Sequence, residues 1–330
     1  MSCFSSFFGI IIPQEDCHSI DFASSVRMTQ EVPVEGLHRY LELPQLRFQT
    51  FSKFNNAYIR TRTDGIRSAS DGSYIGIEGE TMVWAIHRAQ FGYSQEKWGI
   101  YAGIIDDLWV LGQNTAWGNR NQSLGLAERN DWQPRSDVGL GVNYLFDKAY
   151  IQLQITTGEG HQYAERNNGF STQLLCGLRL PQHDLIVFGQ EGSKGSTSAM
   201  NHRVGMRFSS SSALHYGLEV IKTWGIGGDS TLAPLGTSLW LAQRAQKGMW
   251  GFVRADFIHQ NTPSQLEGWM GFAWGFSPAL HVVLATEQTY AWNSGYASSG
   301  TQQWQQSYYI QLQFEQHMNL FMHNNQGIKL

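Results

Sequence analysis

The chain is poor in cysteine, in charge and in long apolar runs. Cys3, Cys17 and Cys176 are the only cysteines in 330 residues, and they offer neither a metal-ligand spacing nor a disulfide framework. Charged residues make up 15%, well below the ~25% of an ordinary soluble domain. Lys and Arg number 23 against 27 Asp and Glu, a net charge of −4. No basic excess exists to neutralise phosphates, so nucleic acid is not expected as a partner. A membrane helix needs ~20 apolar residues in a row. The best stretch, Gly268 to Thr286, carries Ser277-Pro278 at its middle, where a helix would break. There is no G-x-S-x-G elbow and no H-E-x-x-H, and no cofactor or metal is expected.

The N-terminus lacks the basic residues of a secretory signal. Only a short apolar run is present, Phe7 to Ile12, closed by Pro13. Residues 1–35 are therefore set apart as an N-terminal segment outside the main fold.

What the chain does have is period two. Tyr308, Ile310, Leu312 and Phe314 share one face; Tyr309, Gln311 and Gln313 share the other. Ala149 to Thr156, Val204 to Phe208 and Leu214 to Val220 alternate in the same way. Such alternation is the signature of strands. It predicts about 16 of them, at 46–53, 57–63, 73–79, 82–93, 97–106, 136–144, 148–158, 171–180, 184–192, 201–209, 213–223, 236–244, 249–259, 267–276, 279–290 and 305–315. The parity slips near Ile86-His87, where a bulge would account for it.

The connections alternate between short and long from the fifth strand onward. Strands near 10 residues match a tilted bilayer crossing, and hairpins with short turns at one end and long loops at the other describe an up-and-down barrel. The expected fold is all-β: a transmembrane antiparallel barrel over 36–316, with short periplasmic turns, long extracellular loops and a C-terminal extension at 317–330. A soluble β-sandwich or propeller is the competing fold. Lipid would meet Leu174/Cys176/Leu178, Val253/Ala255/Phe257, Met270/Phe272/Trp274 and Leu280/Val282/Leu284.

A barrel of this size leaves an aqueous lumen. Placed on its wall are Arg47, Arg60, Arg62, Arg88, Arg179, Arg203, Arg207 and Arg254, with Glu191, Glu219, Asp256, Glu267 and Glu287. Arg60, Arg62 and Arg88 share one stretch of wall, and replacing all three by Gln is expected to favour cations. The longest connection, Asp107 to Arg135, either folds into the lumen or lies outside; inward, it would bring Asp107, Glu128 and Asp131 to a constriction.

The segments Ser73 to Gly79, Arg88 to Tyr93 and Trp98 to Gly103, the long loop after them and the aromatic closing strand Tyr308 to Phe314 resemble the general bacterial porin family. The resemblance implies an outer-membrane homotrimer, embedded in lipid, through which ions and small hydrophilic solutes diffuse. The family's chain normally stops at its terminal aromatic, whereas this one continues to Leu330. An outer-membrane hydrolase with rim histidines such as His161, His202 or His259, and a non-conducting surface or adhesive barrel, are the alternatives.

Overall fold

The computed structural model describes residues 5–7, 10–12, 17–32, 38–68, 76–77, 80–118, 123–157, 169–193, 200–210, 212, 214–226, 231–244, 248–259, 264–277, 280–292 and 303–320. Two short strands, β1 (Ser5–Phe7) and β2 (Ile10–Ile12), pair only with each other. The wall begins with β3 (Cys17–Val32), β4 (His38–Phe54) and β5 (Ala57–Ser68). A two-residue strand, β6 (Gly76–Ile77), pairs with β7 (Glu80–Gln95), which leads to β8 (Trp98–Asp106). Helices α1 (Leu108–Trp117) and α2 (Leu126–Arg129) follow. The wall resumes with β9 (Ser136–Leu145), β10 (Ala149–Thr156), β11 (Ser171–Leu180), β12 (His183–Ser193), β13 (Met200–Ser210) and β14 (Leu214–Trp224). It ends with β15 (Leu235–Arg244), β16 (Met249–His259), β17 (Ser264–Ser277), β18 (Leu280–Trp292) and β19 (Gln303–Leu320).

All pairings are antiparallel between chain neighbours, and β19 closes on β3 from Gln306↔Val32 to Leu320↔His18. With β6 left aside, 16 strands form the closed barrel. Closure pairs every strand on both sides, the condition for a sheet in hydrocarbon. Short turns such as 55–56, 96–97 and 181–182 gather at one end, with the long connections at the other. That rhythm runs through the whole wall, including its first strands.

The count agrees with the sequence, but two strands are placed differently. Residues 17–32 form a wall strand although they were expected outside the barrel. Their inward residues are Ser19, Asp21, Ala23, Ser25, Arg27 and Thr29, all small, polar or charged. The outward Phe22, Val26 and Met28 are spaced among serines, which hides the alternation. Conversely, 73–79 is not a wall strand: β5 pairs directly with β7, and only Gly76–Ile77 adds to the edge. The rest of that motif, including Glu78, lies outside the described residues. The last strand also runs past 316 to Leu320; 321–330 lie outside the described residues.

The slip at Ile86-His87 is a bulge. Arg62 pairs with Arg88 and Thr63 with Ile86, leaving His87 as the extra residue. Elsewhere the two faces separate cleanly. Leu174, Cys176, Leu178, Val253, Ala255, Phe257, Met270, Phe272 and Trp274 are exposed on the outside, while the residues between them are mostly buried inside.

Candidate functional site

The long loop folds into the lumen. Its base is closed by a hydrogen bond from Asp107 N–H to the Arg135 carbonyl. Asp107 caps α1: its Oδ1 accepts from the Trp109 and Val110 amides, both at 2.9 Å. Its Oδ2 accepts from the side chains of Gln173 on β11 and Gln133 at the far end of the loop. One carboxylate thus ties helix start, loop end and barrel wall together. The helix stops at Gly118, whose φ of +72° suits glycine and whose N–H bonds the Asn114 carbonyl.

An apolar interior face receives the loop. Leu108, Trp109, Leu126, Ala127 and Trp132 pack with wall residues Tyr150, Leu175, Ile186, Phe188, Ile221 and Ile258. Ala116 and Trp117 pack with Trp240, Ala242, Phe252, Trp269, Ala273 and Val283. Glycine makes the close approach possible: a Cβ at Gly205 of β13 would collide with the Trp109 indole.

Polar contacts fix the register of this docking. Gln113 donates to Glu219, and the Ala116 carbonyl meets His215. Arg254 holds Asp256 through two nitrogens, at 2.8 and 2.9 Å, and donates to the Leu124 carbonyl. Arg129 binds both Asp256 and Glu267. The two guanidiniums also stack on aromatics, Arg129 over Trp269 at 4.2 Å and Arg254 over Trp117 at 5.3 Å. At its end the loop reaches the opposite wall, where Arg135 meets Asp64 on β5.

The wall residues expected from the sequence fall into three groups. Arg203, Arg207, Arg254, Glu219, Asp256 and Glu267 are buried on the side where the loop docks. Arg207 lies over the Trp109 ring at 5.2 Å, and Arg179 over Tyr150 at 5.4 Å. On the other side Arg62 and Arg88 are sealed: Arg62 pairs with Asp64 and Arg88 with Asp106. Half-buried there are Arg47, Arg60 and Glu287, together with Arg27 of β3, a segment expected outside the barrel. Arg27 donates to Gln311 and covers the Tyr309 ring, while Arg47 pairs with Asp64 at 3.2 Å. Glu191, expected inward, is exposed on the outer side near the end of β12, opposite in parity to buried Phe188 and Gly192.

Of the loop acids, Asp107 is buried, and Glu128 accepts from Asn114 at 2.8 Å, joining α1 to the chain around α2. Asp131 is exposed, with φ +53°. Residues not anticipated are Trp109, Trp117, Trp132, Trp240 and Trp269, all buried. The sequence did hold a signal: three tryptophans in a loop rich in Asn, Gln and Gly need somewhere to bury.

The fold has counterparts among solved structures. The anion-selective porin from Comamonas acidovorans superposes with TM-score 0.63 at 10% identity, covering 92% of this chain and 100% of that one. OmpF of Salmonella typhi, solved with daunomycin, gives 0.63 at 8% identity over 91% and 98%. OmpT of Vibrio cholerae, an outer membrane protein, gives 0.61 at 9% identity over 92% and 99%. The fold is that of the bacterial porins. No family model matches the chain, and no curated protein matches its sequence. The likeness to these structures is thus one of fold, at 8–10% sequence identity.

Proposed function

We propose that this outer-membrane β-barrel is a porin, a water-filled channel for passive diffusion of ions and small hydrophilic solutes. One observation carries the reading. The loop docks against wall residues from β10 to β18, while the stretch from β18 through β5 keeps Asp21, Arg27, Arg47, Arg60 and Glu287 half-buried rather than sealed. Burying so many ionised groups in a dry interior would cost many kcal/mol, and their partial exposure to the interior supports a water-filled half. Purified protein added to a planar bilayer should give discrete conductance steps that rise with salt concentration. A folded barrel that inserts without conducting would leave the non-conducting surface reading.

The assembly we propose is a homotrimer. Outward-facing Ser24, Thr50, Ser52, Thr61 and Thr63 make a hydroxyl-rich strip across β3, β4 and β5, with Thr50 and Thr61 bonded at 2.7 Å. Such a strip suits a neighbouring copy better than lipid tails, which offer no partner. A Vibrio cholerae OmpT structure is described as a trimer form.

A hydrolase has one supporting contact, His259 Nδ1 to Ser264 Oγ at 3.1 Å. The adjacent carboxylate cannot complete it: Asp256 faces inward and is held by Arg254 and Arg129, while His259 faces out. The channel is the better reading.

A further inference from the structure

The outer face of the barrel is not uniform at its short-turn end. Two neighbouring turns carry lysine there, Lys97 between β7 and β8 and Lys148 between β9 and β10. The turns 55–56 and 181–182 at the same end carry Asn-Asn and Pro-Gln instead. The lysine turns are tied together: the Leu145 N–H donates to the Lys97 carbonyl at 2.6 Å, and the Phe146 N–H closes its own turn on the Ala149 carbonyl at 2.8 Å. Lys97 pairs with Asp147 at 3.4 Å, and both side chains are exposed. Lys148 is exposed as well, and among the described residues no carboxylate lies within ion-pair distance of it. Beside these turns the outer face is hollowed. Trp98 and Ile100 on β8, Val142 and Tyr144 on β9, and Ile151 and Leu153 on β10 line a depression of about 320 Å³. Their register makes two outward rungs, Trp98–Tyr144–Ile151 and Ile100–Val142–Leu153. A second depression, of about 590 Å³, shares Tyr144 with the first and is lined by Lys97, Phe146, Asp147 and Lys148. Ring contacts brace the rim, Trp98 on Tyr93 at 5.7 Å and Tyr144 on Phe146 at 4.7 Å.

We propose that the joined depressions bind a glycerophospholipid of the periplasmic leaflet, with one acyl chain in the apolar groove and the phosphate diester at Lys148 and Lys97. The proposal needs only that the barrel lies in a membrane, and it holds whether or not the barrel conducts. An apolar groove by itself selects nothing in a bilayer, because lipid tails are as apolar as the side chains that line it. Selection comes from the charge at its mouth. Ammonium groups near the membrane surface attract anionic headgroups. The Lys97–Asp147 pair is solvent-exposed and worth little, so a phosphate can take the place of Asp147. Tyr144 and Trp98 stand between the two depressions, and such amphipathic rings belong at the level where headgroup meets chain. Free phosphate would leave the groove empty, and an uncharged diacylglycerol would leave the lysines unmatched. A phospholipid fills both.

The test is native mass spectrometry of the full-length protein, released from micelles that contain equal amounts of dioleoylphosphatidylglycerol and dioleoylglycerol. Wild type should carry one phosphatidylglycerol per chain and no diacylglycerol. The double variant Lys97→Gln, Lys148→Gln should lower that occupancy roughly tenfold or more. Val142→Trp, which fills the groove, should lower it as well. Leu241→Trp, equally outward but on β15, should leave it unchanged. Heat-modifiable migration on gels checks that each variant is a folded barrel; should Val142→Trp not fold, the lysine variant and the diacylglycerol comparison decide. No phospholipid on wild type, equal retention of diacylglycerol, or a lysine variant that keeps its lipid would overturn the proposal. So would a Val142→Trp protein that keeps its lipid but loses its subunit association, because the groove would then belong to a second copy. Conductance is not read, so failure here leaves the porin reading standing, and a barrel that does not conduct leaves the lipid site standing.

Discussion

At the scale of single residues, Asp107 is the one whose chemistry reaches furthest. It lies just beyond the end of β8, capping α1 and accepting from glutamines on the wall and on the loop's end. Burial pushes its carboxyl up to about 6, against the pull of its hydrogen-bond donors and of the Arg203 guanidinium. A carboxyl raised in the folded state weakens that state when ionised. The cost is full above pH 6 and fades as pH falls toward 4, where the unfolded chain also takes up the proton. A shift of this size is worth at most ~3 kcal/mol. Comparing thermal midpoints of wild type and Asp107→Asn isolates the effect: lowering pH from 7 to 5 should favour wild type relative to the variant. Parallel midpoints across that range would remove the assignment. Asp107 was legible in the sequence as a loop residue, but not as a cap, because its four donors come from 109, 110, 133 and 173.

At the scale of elements, the loop from 107 to 135 stands out. Its helix α1 is short and would be marginal alone in water. Docking stabilises it, and Trp109 is the main contact, fully buried between Gly205 and Phe188. Trp109→Ala should cost ~3–5 kcal/mol of that docking. The freed loop should give noisier single-channel currents with a higher mean conductance. Gly205→Leu attacks the same seat from the wall and should act in the same direction. Quiet currents of wild-type size in both variants would mean the loop is held elsewhere. The wall strands were largely readable because alternation is local. The seat of the loop was not, because Trp240, Trp269, Phe252 and Ile258 belong to strands whose inward face had been read as polar.

At the scale of the whole molecule, the closing seam between β19 and β3 is what makes the sheet a barrel. It is as long as any pairing in the wall, running from Gln306↔Val32 to Leu320↔His18. Deleting residues 17–32 should therefore abolish the folded, heat-modifiable form, whereas deleting 5–12, where β1 pairs with β2 and neither joins the barrel, should leave it intact. If a chain lacking 17–32 still folds and inserts, the seam is not where the barrel closes.

The sequence by itself determined that this chain is a membrane barrel of about 16 antiparallel strands, with turns short at one end and long at the other. Alternation and turn chemistry are written in neighbouring residues, so they survive without any knowledge of what lies opposite. It also placed most ionised groups on the correct face. What tertiary structure alone decided is which strands close the sheet, where the loop goes, and which arginines meet a carboxylate. Those outcomes depend on partners far apart in the chain. Asp64 neutralises Arg62 beside it, yet also Arg135 at the end of the loop. Arg129 finds its carboxylates on β16 and β17. Arg60, one residue pair away from Arg62 on the same face, is left without either. Charge can be read from the chain, but compensation of charge exists only once the chain has folded.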